Sequence, residues 1–200
     1  MNKKTLLIVT RLFFGTLSLS AVAIQLSIQI SNGNSLVNFF SFFTNLANIF
    51  AAVVLLYTAV YLIKGHELTT GQEAVRGASV VYMVIVGIVF TILLRDVDLG
   101  SLLPWVNTVL HYIMPVVIVA DWLLQPPAAK LTNKHIKYWL LFPSVYLAYS
   151  LVRGAIVGFY AYPFLNPSHE GGYTRVGIYC VAILVVFLVT SLLIVALSSK

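Results

Sequence analysis

The chain has 200 residues, of which 60% are hydrophobic and 9% are charged, and its mean hydropathy is +0.96. An average soluble domain carries about 25% charged residues, so the composition excludes a soluble globular domain and indicates an integral membrane protein. The formal net charge is +6, but the basic residues stand singly at the ends of apolar runs and do not indicate a nucleic-acid partner. The single cysteine, Cys180, lies in an apolar segment, which excludes a disulfide framework and a cysteine-based metal site.

Six apolar runs are long enough to cross about 30 Å of hydrocarbon, which takes roughly 20 helical residues. They cover Thr5–Ile30, Leu36–Ile63, Arg76–Leu94, Trp105–Leu124, Lys137–Tyr160 and Val176–Leu197. The short connections between them carry residues that interrupt helices, such as those of Ser31-Asn32-Gly33-Asn34. The sequence therefore predicts one all-α domain over residues 1–200, a polytopic membrane protein with six transmembrane helices.

The first run and the basic residues predict the orientation in the membrane. Lys3-Lys4 followed by an apolar stretch and Ala21-Val22-Ala23 resembles a secretory signal, but the apolar run continues to Ile30, so we expect an uncleaved first helix. Lysine and arginine are enriched in cytoplasmic loops. With the N-terminus inside, only Arg95 and Arg175 fall in outer loops. The inside group is Lys3, Lys4, Arg11, Lys64, Arg76, Lys130, Lys134, Lys137 and Lys200. The bias predicts that both termini are cytoplasmic.

The second predicted helix opens with polar residues spaced at i, i+3, i+4 and i+7, which is one helical face. These residues are Ser41, Thr44, Asn45 and Asn48. Phenylalanines at four positions between residues 39 and 43 cover the rest of that turn. Apolar walls around a polar stripe suit a lipid-embedded reaction site, and they suit a polar contact between membrane helices equally well.

Three polar or ionisable groups on three helices are predicted to share one depth. Thr44 and His111 each lie about six residues, or ~9 Å, from the outer ends of their helices, and Arg153 lies about seven residues, or ~10 Å, from its own. A hydroxyl is a poor nucleophile until a base takes its proton, and histidine is the usual base. The shared depth therefore favours a Thr44–His111 pair. Taken singly, Thr44 suits a bond to its own helix or to a neighbour. His111 by itself indicates a functional site, because ionisable residues inside membrane helices are costly, and its alternative is a contact with a neighbouring helix.

The fifth predicted helix carries Tyr146, Tyr149 and Arg153 on one face. An arginine at this depth needs an anion, a carbonyl or water. Two interpretations stay open: it binds a headgroup or supports an oxyanion, or it snorkels to the outer interface. Asp121 lies ~15 Å along its helix from His111, too far to orient that ring. We interpret Asp121 as an interface anchor or a partner for a basic residue.

Other features either line the same region or exclude further chemistries. Gln25 and Gln29 at the end of the first helix line the same cavity or join helices, and the connection 160–173 is a lid or a turn. The remaining histidines fall in loops, no lysine is buried in a span, and HExxH, CxxC and GxSxG patterns are missing from the sequence. The sequence therefore predicts no metal and no cofactor.

Several motifs together resemble a known family over nearly the whole chain. They are Phe42-Phe43-Thr44-Asn45-Leu46-Ala47-Asn48, His111 with Pro115 and the following Asp121-Trp122, Tyr146-Leu147-Ala148-Tyr149, Val152-Arg153-Gly154, and Tyr162-Pro163-Phe164-Leu165. Their order and placement are similar to those of the androgen-induced protein and androgen-dependent TFPI-regulating protein family, and of its bacterial six-helix branch in particular. The resemblance implies an intramembrane hydrolase of fatty acid esters of hydroxy fatty acids, with Thr44 as nucleophile and His111 as its partner. It also implies a multi-pass protein of the cell membrane, in the bacterial inner membrane.

The leading hypothesis is a threonine-dependent carboxylic ester hydrolase acting on a lipid in the outer leaflet. Thr44 attacks the ester carbonyl and His111 moves the proton. The candidates for substrate binding or the oxyanion are Asn45, Asn48, Tyr149 and Arg153, and Arg153 would pair with a substrate carboxylate. The alternatives are a non-catalytic lipid-binding or small-molecule transport protein that uses the same cavity, and a structural protein whose polar residues only join helices.

Overall fold

A computed structural model of the protein describes residues 2–98, 100–169 and 171–198, and within these ranges the chain is all-helical. Its helices are α1 (Lys3–Ser31), α2 (Leu36–Phe40), α3 (Phe43–Lys64), α4 (Thr70–Leu94), α5 (Pro104–Leu124), α6 (Asn133–Val157) and α7 (Gly172–Leu197). Of these, all but the short α2 are long and apolar enough to cross a membrane. The predicted all-α fold with six apolar spans is confirmed. We call the end that holds the connections after Ser31, Leu94 and Val157 the upper end, and the opposite one the lower end.

Capping residues place two helix starts earlier than predicted. α4 begins at Thr70 rather than Arg76, because the side chains of Thr69 and Gln72 each bond the other residue's backbone N–H. Thr132 and His135 form the same reciprocal arrangement before α6. Such capping boxes satisfy N–H groups that have no acceptor within the helix, so polar residues assigned to the connections become helical.

The second predicted helix is broken near its start, which corrects the sequence prediction. α2 ends at Phe40, Phe42 is extended with φ −84° and ψ 121°, and α3 begins at Phe43. Ser41 therefore does not share a helical face with Thr44. Instead its hydroxyl oxygen lies 3.0 Å from the hydroxyl of Tyr149.

α6 ends at Val157, three residues before the predicted end, because Gly158 adopts the left-handed conformation with φ 70°. The chain then turns back, and the ring of Tyr160 lies against Gly154. A Cβ atom at Gly154 would overlap Cε1 of Tyr160, so only glycine accommodates this close return. The turn directs the described part of the connection 158–171, residues 158–169, across the upper end of the bundle.

α4 is the central helix and packs against α3, α5 and α7. α1 packs along α3, where Gly15 lies against Ala52 and Leu56, as expected for small residues that allow membrane helices to approach closely. α6 has mostly exposed apolar side chains on its outer surface, which is the pattern of a helix that faces lipid.

A buried ion cluster joins α1, α4 and α5 towards the lower end. Asp121 accepts hydrogen bonds from Arg11 and from Arg76, and Arg76 also pairs with Glu73 at 2.7 Å. Both arginines and Glu73 are less than 5% exposed. The interpretation of Asp121 as a partner for a basic residue is confirmed, and it has two such partners.

Candidate functional site

Thr44 is the second residue of α3 and is 8% exposed. Because the helix begins at Phe43, the Thr44 N–H has no acceptor in the preceding turn. It donates instead to the hydroxyl oxygen of Tyr162, at 3.2 Å, and the Thr44 hydroxyl lies 3.4 Å from the same oxygen. The break before α3 thus presents both the backbone N–H and the side chain of Thr44 to the connection 158–171.

His111 lies in a π-helical turn of α5, Val109–Ile113, just before Pro115. Pro115 has no N–H for the carbonyl of residue 111, and single π-helical turns are frequent at functional sites. The imidazole is 7% exposed and stacks on the ring of Phe90, with the two centroids 3.9 Å apart. The His111 ring is therefore restricted by the phenyl ring of Phe90 on α4 and by the π-helical turn of α5.

The hydrogen bonds of His111 define its tautomer. Nδ1 lies 2.7 Å from Oδ1 of Asn107 and 3.2 Å from the backbone carbonyl oxygen of Asn107. A carbonyl oxygen can only accept a hydrogen bond, so Nδ1 carries the hydrogen. In the neutral ring Nε2 then holds the lone pair, and Nε2 is the atom that can accept a proton.

Thr44 and His111 line one cavity of about 360 Å³ at the upper end of the bundle. Among the residues that the structure describes, no hydrogen bond joins the two side chains; they face a common space. The amide of Asn48 fixes their helices to each other, because it donates to the carbonyl oxygens of Thr44 at 2.9 Å and Leu110 at 3.2 Å. The cavity also has a set of polar lining residues. They are Gln25, Gln29, Asn45, Asp98, Asn166 and His169.

A second cavity of about 350 Å³ adjoins the first and is almost wholly apolar. Its walls come from α3, α4, α6, α7 and the connection before α7. They include Phe43, Val86, Leu147, Phe164, Ile183 and Phe187. Thr44, Leu94 and Tyr162 line both cavities. Thr44 therefore lies at the boundary between the more polar cavity and the apolar one.

Of the remaining predicted site residues, two lie on α3 and two lie on α6. Asn45 lines the polar cavity, and its amide donates to the Phe39 carbonyl at 2.8 Å. Asn48 is fully buried between α3 and α5. Tyr149 and Arg153 line neither cavity: Tyr149 contacts Ser41, and Nη2 of Arg153 donates to Oδ1 of Asn38 at 2.6 Å. These two residues hold α6 against the region around α2.

Gln25 both lines the cavity and joins elements. Its amide donates to the Ser101 carbonyl at 3.0 Å and accepts from the N–H of Leu103 at 3.2 Å. Gln25 therefore fills both roles that the sequence left open, since it lines the cavity and joins α1 to the residues before α5. The connection after α6 contributes Tyr160, Tyr162, Asn166 and His169 to the wall of the cavity, which supports its interpretation as a lid.

The sequence predicted neither the contact of Asn107 with His111 nor that of Tyr162 with Thr44, although Tyr162 stands in one of the motifs of the resemblance. Asn107 stands four residues before His111, on the same helical face, and that spacing was the available signal. Tyr162 carries no comparable signal, because its approach to Thr44 depends on the turn at Gly158. Burial raises the pKa of the Tyr162 phenol above its ordinary value of 10, so its hydroxyl is protonated and able to donate at neutral pH.

No protein-family model, no curated protein and no solved structure matches this chain.

Proposed function

We propose that this protein is an intramembrane hydrolase of lipid esters in which Thr44 is the nucleophile and His111 the base. One observation carries the proposal: these two side chains, from α3 and α5, line one cavity, and Thr44 also lines the apolar cavity that adjoins it. An ester carbonyl placed at Thr44 would have the apolar cavity on one side and the polar cavity on the other. That division matches the two halves of a lipid ester.

The substrate lies across the boundary in this proposal. The fatty acyl chain occupies the apolar cavity, and the alcohol part occupies the polar cavity beneath the connection 158–171. The substrate class is fatty acid esters of hydroxy fatty acids or a related lipid. Asn45 is the predicted binding residue that lines the polar cavity, whereas Tyr149 and Arg153 act indirectly, by holding α2 and the break after it.

The reaction proceeds through an acyl-enzyme. The Thr44 oxygen bonds to the ester carbonyl carbon, its proton passes to Nε2 of His111, and the carbonyl electron pair moves onto oxygen. Collapse of this intermediate breaks the bond to the alcohol, which leaves with the proton from His111. Water then attacks the acyl-Thr44 carbonyl, giving one proton to His111, and the second collapse returns that proton to the Thr44 oxygen and releases the fatty acid.

We propose further that both termini are cytoplasmic and that the upper end faces outward, in the cell membrane of a bacterium. The excess of lysine and arginine at the lower end supports this orientation. Water for the second half of the reaction would then enter from the outer side, through the polar cavity.

The test is release of hydroxy fatty acid from a synthetic ester by the purified protein in lipid nanodiscs. Thr44→Ala and His111→Ala are expected to lower the rate by at least about a hundredfold, as for loss of a nucleophile or its base. Thr58→Ala is the matched control, since Thr58 is also buried in α3 but donates only to carbonyls of its own helix, that of Val54 at 2.8 Å among them. Equal rates for the wild type and both site variants would reject the proposal.

A second candidate is a non-catalytic lipid-binding or transport protein that uses the same two cavities. The contact of the Thr44 hydroxyl with Tyr162 rather than with His111 favours it. A fluorophosphonate probe separates the two functions: a hydrolase forms a covalent adduct that Thr44→Ala abolishes, whereas a binding protein retains lipid and forms no adduct.

A further inference from the structure

The hydroxyl of Tyr162 occupies a distinctive position beside Thr44. Its oxygen lies 3.2 Å from the Thr44 backbone nitrogen and 3.4 Å from the Thr44 hydroxyl oxygen. When the Thr44 oxygen bonds to a carbonyl carbon, the carbonyl oxygen becomes a near neighbour of that oxygen. The Thr44 N–H and the Tyr162 O–H are the donors already grouped at this point.

We propose that Tyr162 is a third catalytic residue, whose hydroxyl donates a hydrogen bond to the oxyanion that forms on the substrate at Thr44. The backbone N–H of Thr44, at the positive end of α3, is the second donor. This assignment rests on the proposed function and adds to it the group that stabilises the transition state.

The surroundings of Tyr162 hold the phenol in place before substrate arrives. Its ring stacks on Phe164, with centroids 5.1 Å apart and planes 5° apart, and meets the edge of Phe42 at 5.8 Å. The residue is 8% exposed. Because burial also raises the pKa of the phenol, the O–H stays a donor. A donor fixed in position before the charge develops is what oxyanion stabilisation requires.

The predicted oxyanion candidates are less suited to this role. The Asn45 amide donates to the Phe39 carbonyl, the Asn48 amide donates to two carbonyls, and the Arg153 guanidinium lies at Asn38, away from both cavities. Tyr162 lines both cavities and touches the nucleophile.

Tyr162 keeps its proton throughout the reaction. As the carbonyl electron pair moves onto oxygen, the Thr44 N–H, which donates to the Tyr162 oxygen before substrate binds, and the Tyr162 O–H both turn to the new oxyanion. When the intermediate collapses and the alcohol leaves with the proton from His111, the charge on that oxygen is lost and the O–H returns. The same change of hydrogen-bond partner stabilises the oxyanion that forms in the second half of the reaction, when water attacks the acyl-Thr44.

The competing interpretation is purely structural: the hydroxyl only ties the connection 158–171 to the start of α3. A hydrogen bond of that kind contributes about 1 kcal/mol to stability and does not change the rate constant of the folded protein. Tyr82 supplies the matched control, because its buried hydroxyl donates to the Trp139 carbonyl at 2.8 Å and lines neither cavity.

The experiment compares Tyr162→Phe with Tyr82→Phe in nanodiscs, using a neutral long-chain ester and its trifluoromethyl ketone analogue, which forms a tetrahedral oxyanion with Thr44. Phenylalanine keeps the ring stacking and removes only the hydroxyl. Tyr162→Phe is expected to lower kcat about 10²- to 10³-fold, as for loss of one oxyanion donor. The affinity for the ketone is expected to fall by a similar factor, whereas KM stays within about threefold of the wild-type value. Tyr82→Phe is expected to keep wild-type values of all three.

Each outcome has a distinct meaning. If the wild type hydrolyses the ester and Thr44→Ala does not, but Tyr162→Phe keeps kcat and ketone affinity or hydrolyses faster, the assignment of Tyr162 is overturned and the proposed function stands. Equal losses in Tyr162→Phe and Tyr82→Phe overturn it as well. A wild type with neither Thr44-dependent hydrolysis nor a Thr44 adduct overturns both proposals.

Discussion

Replacing Asp121 with alanine is expected to destabilise this protein far more than replacing an exposed aspartate. Asp121 is the carboxylate shared by Arg11 and Arg76, whose side chains are 1% and 3% exposed. Those two arginines, Asp121 and Glu73 together carry no net charge. Without Asp121, the cluster holds an uncompensated positive charge on arginine side chains that are almost fully buried.

The magnitude follows from which contacts survive. Arg76 keeps Glu73 at 2.7 Å, but Arg11 loses both carboxylate contacts and keeps only Oε1 of Gln125 at 2.8 Å. Removing one partner of a buried ion pair costs about 3–5 kcal/mol. Asp96→Ala is the control, since the Arg95–Asp96 pair is 61% and 86% exposed, and such pairs contribute less than about 1 kcal/mol.

The assay is reversible unfolding of the purified protein in mixed micelles, extended to a double-mutant cycle. Because Arg11→Ala removes the charge that Asp121→Ala leaves unpaired, the double variant is expected to cost about 1–3 kcal/mol less than the sum of the single variants. Additive single effects, or equal losses in Asp121→Ala and Asp96→Ala, would refute the view that charge compensation stabilises the lower end.

Two further predictions concern the upper end. Asn107→Ala is expected to lower kcat of the proposed hydrolysis about fivefold, since it removes the 2.7 Å acceptor that orients His111 and a hydrogen bond is worth about 1 kcal/mol. The rate of ester hydrolysis measures this loss, and an unchanged kcat would contradict a positioning role. Gly154→Ala is expected to lower stability by about 1–3 kcal/mol, because the new Cβ meets the ring of Tyr160. Gly177→Ala, in α7 with open space around it, is expected to show no loss in the same unfolding assay, and equal losses would contradict the clash.

Much of the fold could be predicted because membrane spans are set by length and apolarity. All six spans were located, and the errors lie at helix ends, where short-range hydrogen bonds decide the boundary. Thr69 and Thr132 each precede a capping partner by three residues, a signal that hydropathy does not register. The break at Ser41 had no glycine or proline to mark it, since the contacts that stabilise it come from side chains of α3, α6 and the connection after α6.

The sequence predicted the depth of the site residues in their helices, but not the direction in which their side chains point. Counting residues at 1.5 Å each gives the level of a side chain in its helix, and this placed Thr44 and His111 close enough to line one cavity. The same count put Arg153 at that level, yet Arg153 lies at Asn38, outside both cavities. Which way a side chain points depends on how the helix is rotated against its neighbours, and a single sequence carries little information on that rotation.

The break before α3 explains the positions of the polar groups at the upper end. Broken backbone at membrane depth is tolerated only where other groups satisfy it or where it lines a cavity. Here Tyr146 donates to the Ser41 carbonyl at 2.8 Å, Asn45 donates to that of Phe39, and Tyr162 accepts from the Thr44 N–H. A continuous helix would direct the Thr44 N–H to a carbonyl of the preceding turn and remove it from the cavity. The break therefore creates the donor that the proposed reaction needs, and the side chains that stabilise the break also form the wall of the site.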